Sequence, residues 1–264
     1  MGFELTDENY YSQEANLAYM SCSQWKSFRK CEEAALAELA GDYQREVSTA
    51  MLIGSYVDSY YEGTLDKFKE QHPEIFKKDG SLKVDFAKCE EIIERTTKDK
   101  LFSKYMSGEK QVIMTGEIAG VPFKIKMDSY HPGKAIVDLK CMKDFAKVWD
   151  SESRAYVPFV ESWGYDFQGA IYQEIVRQNT GEQLPFFIAA ATKEKIVDIA
   201  VMSIPQDRLD YCLKIVEETA PRFNQLKLGE LDPGEACRCG KCDWCKQTKV
   251  LTEIVDYRDL DIVI

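Results

Sequence analysis

Hydrophobic and polar residues follow two different periods along the chain, and these divide it into helical and strand-like stretches. Apolar residues recur every three or four positions in 21–47, where Ser21 or Ser23 can cap a helix. Residues 51–63 continue as a second helix that ends at Gly63. Further helices are expected as short charged pieces within 64–110, over 163–180 and over 205–227.

The two-residue period of half-buried strands dominates the middle of the chain. Residues 111–141 hold three strand-like stretches, separated by turn-forming residues at Ala119-Gly120 and at His131-Pro132-Gly133. Buried strands are expected over 184–192 and 195–204. The order α-β-β-β-α-β-β-α predicts an α/β fold in which a mixed central sheet is flanked by helices.

Length and composition favour one domain. The chain has 264 residues, 45% of them hydrophobic, which is enough for one large core. No apolar run reaches the length of about 18 residues that a membrane span needs, and the N-terminus is acidic, so we expect a cytoplasmic protein. The single domain, residues 1–264, would comprise a helical part (1–110), a core (111–204), and a C-terminal helix, cysteine cluster and tail (205–264).

Acidic residues occupy matching positions in the second and third strands. Asp128 lies on the polar face of the second, and Asp138 and Lys140 share one face of the third, AIVDLKC. If the apolar faces of the two strands coincide, His131 pairs with Ala135 around a three-residue turn. That register places Asp128 directly opposite Asp138, with Cβ atoms about 4.5–5.5 Å apart.

Two opposed carboxylates suggest a cation site. They repel each other, and a hard divalent cation such as Mg²⁺ or Mn²⁺ relieves the repulsion by binding their oxygens. Such an ion polarises a phosphoryl oxygen and generates hydroxide, while Lys140 could orient the water or stabilise developing negative charge. The same residues could instead form a solvated face with an incidental ion pair, and the hairpin alone does not separate the two interpretations.

The hairpin resembles a known catalytic motif. KIKMDSYHPGKAIVDLKC resembles the Asp…(Asp/Glu)-x-Lys core of the PD-(D/E)XK nuclease superfamily, and Gln168-x-x-x-Tyr172 in the next helix is similar to a motif of its RecB-like branch. The resemblance implies a restriction-endonuclease-like core and catalytic roles for Asp128, Asp138 and Lys140. It also implies that Gln168 and Tyr172, on one helix face, contact the lysine or a DNA phosphate.

Two upstream segments extend the resemblance. MSCSQWKSFRKCEEAAL is similar to the first helix of many RecB-like nucleases, and IGSYVDSYYEG to a Gly-Ser-x-x-His helix whose histidine helps to hold the metal. Asp58 stands at the histidine position, which implies a third carboxylate ligand. The whole arrangement resembles phage or prophage exonucleases of the RecE type, which resect duplex DNA ends for single-strand-annealing recombination or repair. This implies DNA as the substrate, an annealing protein as a partner, and a homo-oligomer.

Four of the nine cysteines crowd into CRCGKCDWC: Cys237, Cys239, Cys242 and Cys245. Without a secretory signal, this spacing favours a metal site over disulfides, holding Zn²⁺ or an iron–sulfur cluster. Four ligands within nine residues would strain a zinc tetrahedron, so a three-cysteine knuckle plus one distant cysteine favours [4Fe–4S]. By resemblance to RecB-like nucleases with one N-terminal and three C-terminal cysteines, Cys31 is the distant ligand. Cys237 as fourth ligand, and unmetallated thiols, are the alternatives.

The charge of the chain bears on its partners. A net charge of −11 argues against nucleic acid as a ligand, although a local basic strip can coexist with an acidic exterior. Lys124, Lys126, Lys143 and Lys147 could form such a strip. The main hypothesis is a metal-dependent DNA exonuclease. The alternatives are a nucleic-acid or recombination-partner binding module with a degenerate nuclease face, and an endonuclease of the same fold.

Overall fold

The computed structural model of the chain describes residues 5–150, 153–256 and 258. Its α-helices are α1 (Gln13–Ala18), α2 (Cys22–Lys30), α3 (Glu32–Ala40), α4 (Thr49–Glu62), α5 (Leu65–Gln71), α6 (Val84–Lys98), α7 (Lys100–Tyr105), α8 (Phe159–Ser162), α9 (Tyr165–Thr180), α10 (Gln206–Leu228) and α11 (Asp243–Gln247). Single 3₁₀ turns lie at Pro73–Ile75 and Pro233–Glu235. The strands are β1 (Val112–Ile118), β2 (Val121–Met127), β3 (Ser129–His131), β4 (Ala135–Met142), β5 (Val148–Asp150), β6 (Ala155–Val157), β7 (Phe186–Thr192) and β8 (Ile199–Ser203).

The N-terminal helices begin and end largely where the sequence predicts. Ser21 caps α2 by accepting a hydrogen bond from the N–H of Gln24 at 3.2 Å. Gly63 ends α4 in the left-handed conformation, with φ of 77°. The helix expected over 21–47 is instead two helices, because the backbone is extended at Cys31. Within the described residues, no helix is long and apolar enough to cross a membrane.

The central sheet is mixed, as predicted. Its order is β3-β4-β7-β8, with β4 parallel to β7 and both outer pairs antiparallel. Alternate residues of β4 and β7 face two hydrophobic cores. Ile136 and Ile188 pack in the core formed with α9 and α10, while Val137 and Ala189 pack in the core formed with α4 and α6. Both faces of β4 are therefore covered, which explains the near-continuous apolar sequence of this strand.

The strand expected over 121–129 is broken at Asp128. Its first part, β2, pairs with β1 in a separate two-stranded sheet, and β3 pairs with β4. The predicted pairing of His131 with Ala135 is confirmed. The expectation that the apolar faces of the two strands coincide is wrong, because the bend directs Met127 into the α9–α10 core whereas Leu139 packs with α4 and α6. At this bend the Asp128 side chain accepts a hydrogen bond from the N–H of Leu139 in the opposite strand.

The sequence pattern does not reveal β5 and β6, because three residues each are too few to display a period. The two strands pair antiparallel in a hairpin that follows β4 and contacts α8. Trp149 and Tyr156 lie opposite each other in this hairpin, with ring centroids 5.2 Å apart, and both side chains are exposed. The hairpin therefore presents an aromatic surface to solvent.

Replacing Gly169 by Ala is expected to destabilise the protein. Gly169 lies where α9 meets β7 and α10, and a Cβ there would come within 2.8 Å of Phe186 Cδ1 and 2.9 Å of Leu209 Cδ2. We expect the free energy of unfolding to fall by about 1–3 kcal/mol, measured by urea unfolding. Gly54→Ala is the matched control, because nothing lies within 4 Å of that Cβ position in α4. It should stabilise by up to about 1 kcal/mol. Equal stability of the two variants would contradict the close packing of α9.

Candidate active site

Asp138 is a buried carboxylate in the central sheet, with only 2% of its surface exposed. Its Oδ1 accepts a hydrogen bond from Gln168 Nε2 at 2.6 Å. Its Oδ2 forms an ion pair with the Lys140 ammonium but accepts no well-oriented hydrogen bond from the described residues. A buried carboxylate is costly unless it is paired, and the contacts with Gln168 and Lys140 offset the cost of burying Asp138.

Lys140 is held as a cation. Its side chain is 21% exposed, and Nζ lies 5.2 Å from the centre of the Tyr165 ring. Burial alone would lower the pKa of Lys140, but the negative charges of Asp138 and Asp128 outweigh this effect and raise it. Lys140 can therefore stabilise negative charge, whereas it is a poor proton acceptor. Tyr165 was not identified from the sequence, and its position at the start of a helix gives no local indication of this contact.

Asp128 lies at the bend between β2 and β3, beside Asp138. Its Oδ2 accepts a hydrogen bond from the N–H of Leu139 at 2.8 Å, and its Oδ1 lies 3.5 Å from Gln111 Nε2. Burial and then the charge of Asp138 raise the pKa of Asp128 to about 7. Asp128 and Asp138 are therefore close together, as predicted. Asp128 is not part of a strand, however, and its side chain bonds the backbone N–H of Leu139. Gln111 is a further residue missed by sequence analysis, and its backbone has a left-handed φ of 51°.

Asp58 brings a carboxyl group to the same region from α4. Burial and the charge of Asp128 raise its pKa well above the usual value. Glu62, four residues later in α4, also raises the pKa of both Asp58 and Asp128 by its charge. The sequence could have suggested Glu62, because residues four apart share a helix face.

Asp128 and Asp138 are better placed to bind a hard cation as a pair than together with Asp58. Among the described residues, only one group of three or more His, Cys, Asp or Glu side chains has its ligand atoms all within 4.8 Å of one another. That group consists of cysteines. The structure thus does not gather Asp58 tightly with Asp128 and Asp138. Burial and the charge of Asp138 together raise the pKa of Asp128, and Asp138 Oδ2, whose described partner is the Lys140 ammonium, offers a further oxygen donor. Mg²⁺ or Mn²⁺ suits such donors.

Gln168 and Tyr172 share a face of α9, as predicted, but their contacts differ from the expectation. Gln168 bonds Asp138, not Lys140, and the Tyr172 hydroxyl donates to the carbonyl of Lys126 at 3.0 Å. Both side chains are buried. In this structure they tie α9 to Asp138 of β4 and to the Lys126 carbonyl of β2, and neither side chain is exposed at the surface.

The predicted basic strip is only partly present. Lys124 is 1% exposed and donates to Asn16 Oδ1 at 2.8 Å and to the Tyr10 carbonyl, so its assignment to DNA binding is wrong. Strand alternation identifies the polar face of β2 but does not show that the N-terminal segment covers it. Lys126 is largely covered too, with a 12% exposed side chain. Lys143 and Lys147 are exposed after β4.

The four cysteines that come together are Cys31, Cys239, Cys242 and Cys245, whose sulfur atoms all lie within 4.8 Å of one another. Cys31 and Cys245 are buried. Cys237 is exposed and lies outside this group, which removes it as the alternative fourth ligand. The site joins the junction of α2 and α3 to the segment around α11.

Comparisons with known proteins are consistent with this geometry. A family model described as "PDDEXK-like domain of unknown function (DUF3799)" matches residues 21–248. A crystal structure of a "putative exonuclease" from Eubacterium rectale is 51% identical, with a TM-score of 0.93, over 100% of both chains. The structure of SSO0001 is 12% identical with a TM-score of 0.27, over 76% of this chain and 87% of that chain. No curated protein matches the sequence.

Replacing Asp128 by Asn is expected to stabilise the metal-free protein at neutral and alkaline pH. The folded-state pKa of about 7 lies above the unfolded value of about 3.9. Between these values the folded chain binds more protons than the unfolded chain, so the free energy of unfolding falls as the pH rises. Asn removes this loss. We expect a gain of roughly 1–3 kcal/mol near pH 8 and almost none near pH 4, measured by urea unfolding with a chelator.

Asp79→Asn is the control for this pH dependence. Hydrogen bonds from Ser81 lower the pKa of Asp79, so removing its charge should give no gain at high pH. If Asp128→Asn stabilised equally at both pH values, ionisation of Asp128 would not be the cause.

Proposed function

The chain belongs to the family of PDDEXK-like domains, and from this we propose that it is a Mg²⁺- or Mn²⁺-dependent deoxyribonuclease that degrades DNA from its ends. The observation that carries the proposal is the convergence of Asp128, Asp138 and Lys140 on one site from a bend and a central strand. The similarity to a "putative exonuclease" supports action on ends. By the family resemblance, the resulting single strands would serve an annealing protein in recombination or repair.

Each residue of the site has a distinct role in phosphodiester hydrolysis. A bound Mg²⁺ or Mn²⁺ would supply charge neutralisation at the phosphoryl group and a more acidic water. Asp128 and Asp138 would hold it. The N–H of Leu139 helps to orient Asp128, and Gln168 helps to orient Asp138. Lys140, which remains protonated, would stabilise the additional negative charge of the pentavalent transition state.

A binding module with a degenerate nuclease face is the less favoured alternative. A buried acid–base pair such as Asp138 and Lys140 gives little net stability compared with apolar residues of similar size. Its presence beside Asp128 is readily explained by catalysis and poorly explained by packing. An endonuclease of the same fold would use the same residues, so the form of the DNA substrate distinguishes the two.

The surface after β4 would guide DNA towards the site. Lys143 and Lys147 are exposed and can contact phosphates. The exposed rings of Trp149 and Tyr156 follow in the β5–β6 hairpin, where they could stack on unpaired bases. Basic residues beside exposed aromatic rings are typical of surfaces that bind single strands.

Lys140→Ala and Asp138→Asn are expected to lower the rate of DNA degradation by about 10²–10³-fold, because each removes charge stabilisation or metal binding. The measurement is release of nucleotides from linear duplex DNA with Mg²⁺ or Mn²⁺. Lys78→Ala is the control, an exposed lysine in the turn before α6 that should keep full activity. Wild-type activity in either site variant would refute the assignment.

Covalently closed circular duplex separates the two nuclease modes. An exonuclease should degrade the linear form and leave the circle intact, since the circle offers no end. Cleavage of the circle at a similar rate would support the endonuclease alternative.

Joint replacement of Lys143 and Lys147 by Ala is expected to weaken DNA binding and its salt dependence. The slope of the logarithm of the binding constant against the logarithm of salt concentration should become less steep by about 2, since two phosphate contacts are lost. Fluorescence anisotropy in the Asp138→Asn background measures this without degradation. Replacing Lys77 and Lys78, two exposed lysines before α6, removes the same charge elsewhere and should leave the slope unchanged. Equal effects would point to overall charge alone.

A further inference from the structure

The four gathered cysteines define a small and specific space. Sγ of Cys31 lies 3.5 Å from Sγ of Cys245, and Sγ of Cys239 lies 4.0 Å from the same atom. All four sulfur atoms, including that of Cys242, lie within 4.8 Å of one another. Four sulfurs at this spacing have room for one ion among them.

These distances discriminate between the two metal centres that the sequence leaves open. Around a single tetrahedral zinc, with bonds of about 2.3 Å, neighbouring sulfurs lie about 3.8 Å apart. In a [4Fe–4S] cluster each cysteine binds a different iron at a corner of the cluster, so the cysteine sulfurs lie outside the four irons and far apart. The observed separations match the single ion and do not fit the cluster. The sequence-based preference for [4Fe–4S] therefore disagrees with the geometry.

Four cysteine ligands within residues 237–245 would strain a zinc tetrahedron. This strain is avoided because the fourth cysteine of the group is Cys31 and not Cys237. Cys31 can reach the knuckle because the extended backbone at this residue separates α2 from α3. The knuckle itself is ordered by two N–H···S contacts, from Cys242 to Cys239 Sγ at 3.3 Å and from Cys245 to Cys242 Sγ at 3.5 Å.

Hydrogen bonds that do not involve the cysteine sulfurs also hold the start of α3 against the C-terminal cysteine segment. Arg222 of α10 forms two hydrogen bonds with Glu32, at 2.8 and 3.0 Å, and Glu32 also accepts the N–H of Cys237 at 2.8 Å. Arg238 bonds Glu33 and, at 3.2 Å, the carbonyl of Cys245. The first residues of α3 are thus fixed against the knuckle independently of any metal–sulfur bond.

We propose that Cys31, Cys239, Cys242 and Cys245 bind one Zn²⁺ ion, which closes the C-terminal segment onto the junction of α2 and α3. The site is structural, because all four positions of the tetrahedron are filled by protein and none is left for water or substrate. The proposal is independent of the nuclease assignment.

Metal analysis of the full-length protein tests the proposal directly. The protein is purified without oxygen or added metal, and zinc, iron and acid-labile sulfide are measured per chain. We expect one zinc, no stoichiometric iron or sulfide, and no broad visible absorption band. Iron in stoichiometric amount, with or without sulfide, or folded protein without zinc would overturn it.

Cysteine variants assign the ligands. Cys239→Ser should lose most of the bound zinc, whereas Cys237→Ser, two residues away but exposed and outside the group, should retain it. If Cys239→Ser does not fold, replacement of the ion by Co²⁺ in the wild-type protein gives a second measurement. Tetrathiolate coordination predicts intense sulfur-to-cobalt charge-transfer bands, and their absence would overturn the proposal. Zinc loss from Cys237→Ser equal to that from Cys239→Ser would also contradict it.

Discussion

The need to compensate one buried carboxylate dominates this structure. Asp138 sits in the middle of a mixed sheet with 2% of its surface exposed, so water cannot solvate its charge. Removing one partner of such a buried pair typically costs about 3–5 kcal/mol, which makes the partners structural as well as chemical necessities. Lys140 comes from the same strand and Gln168 from α9. The helix must therefore pass close to the sheet, and Gly169, next to Gln168, is where a side chain would prevent that approach.

The parts of the fold that depend on local chemistry were predictable. Ser21 begins α2 and Gly63 ends α4 for reasons contained in a few adjacent residues, and Pro132-Gly133 marks the turn between β3 and β4. The bend at Asp128 was not predictable in this way. At the bend the Asp128 side chain bonds the N–H of Leu139, eleven residues away, and alternation of apolar residues carries no information about such a contact.

Lys124 and Lys140 show why the site was predicted better than its surroundings. Both lie on the polar side of a strand, so the alternation of apolar and polar residues predicts the same exposure for the two side chains. The N-terminal segment covers Lys124 with neutral oxygens, and burial lowers its pKa to about 8. Two acids face Lys140 and raise its pKa. The acids near Lys140 are recognisable from the motif itself, whereas the segment that buries Lys124 is distant in sequence and becomes visible only in the folded chain.

The two proposed metal centres differ in donor atoms, and this separates their roles. Oxygen donors favour hard cations that exchange water, whereas four thiolates at single-ion spacing suit Zn²⁺ and leave no open position. The packing nevertheless connects them through α2. Cys31 directly follows α2, and Trp25 of α2 packs on Phe167 of α9 with ring centroids 4.9 Å apart, beside Gln168. The thiolate centre would therefore act on the carboxylate site through the packing of α2, which includes its contact with α9 beside Gln168, and not by entering the reaction.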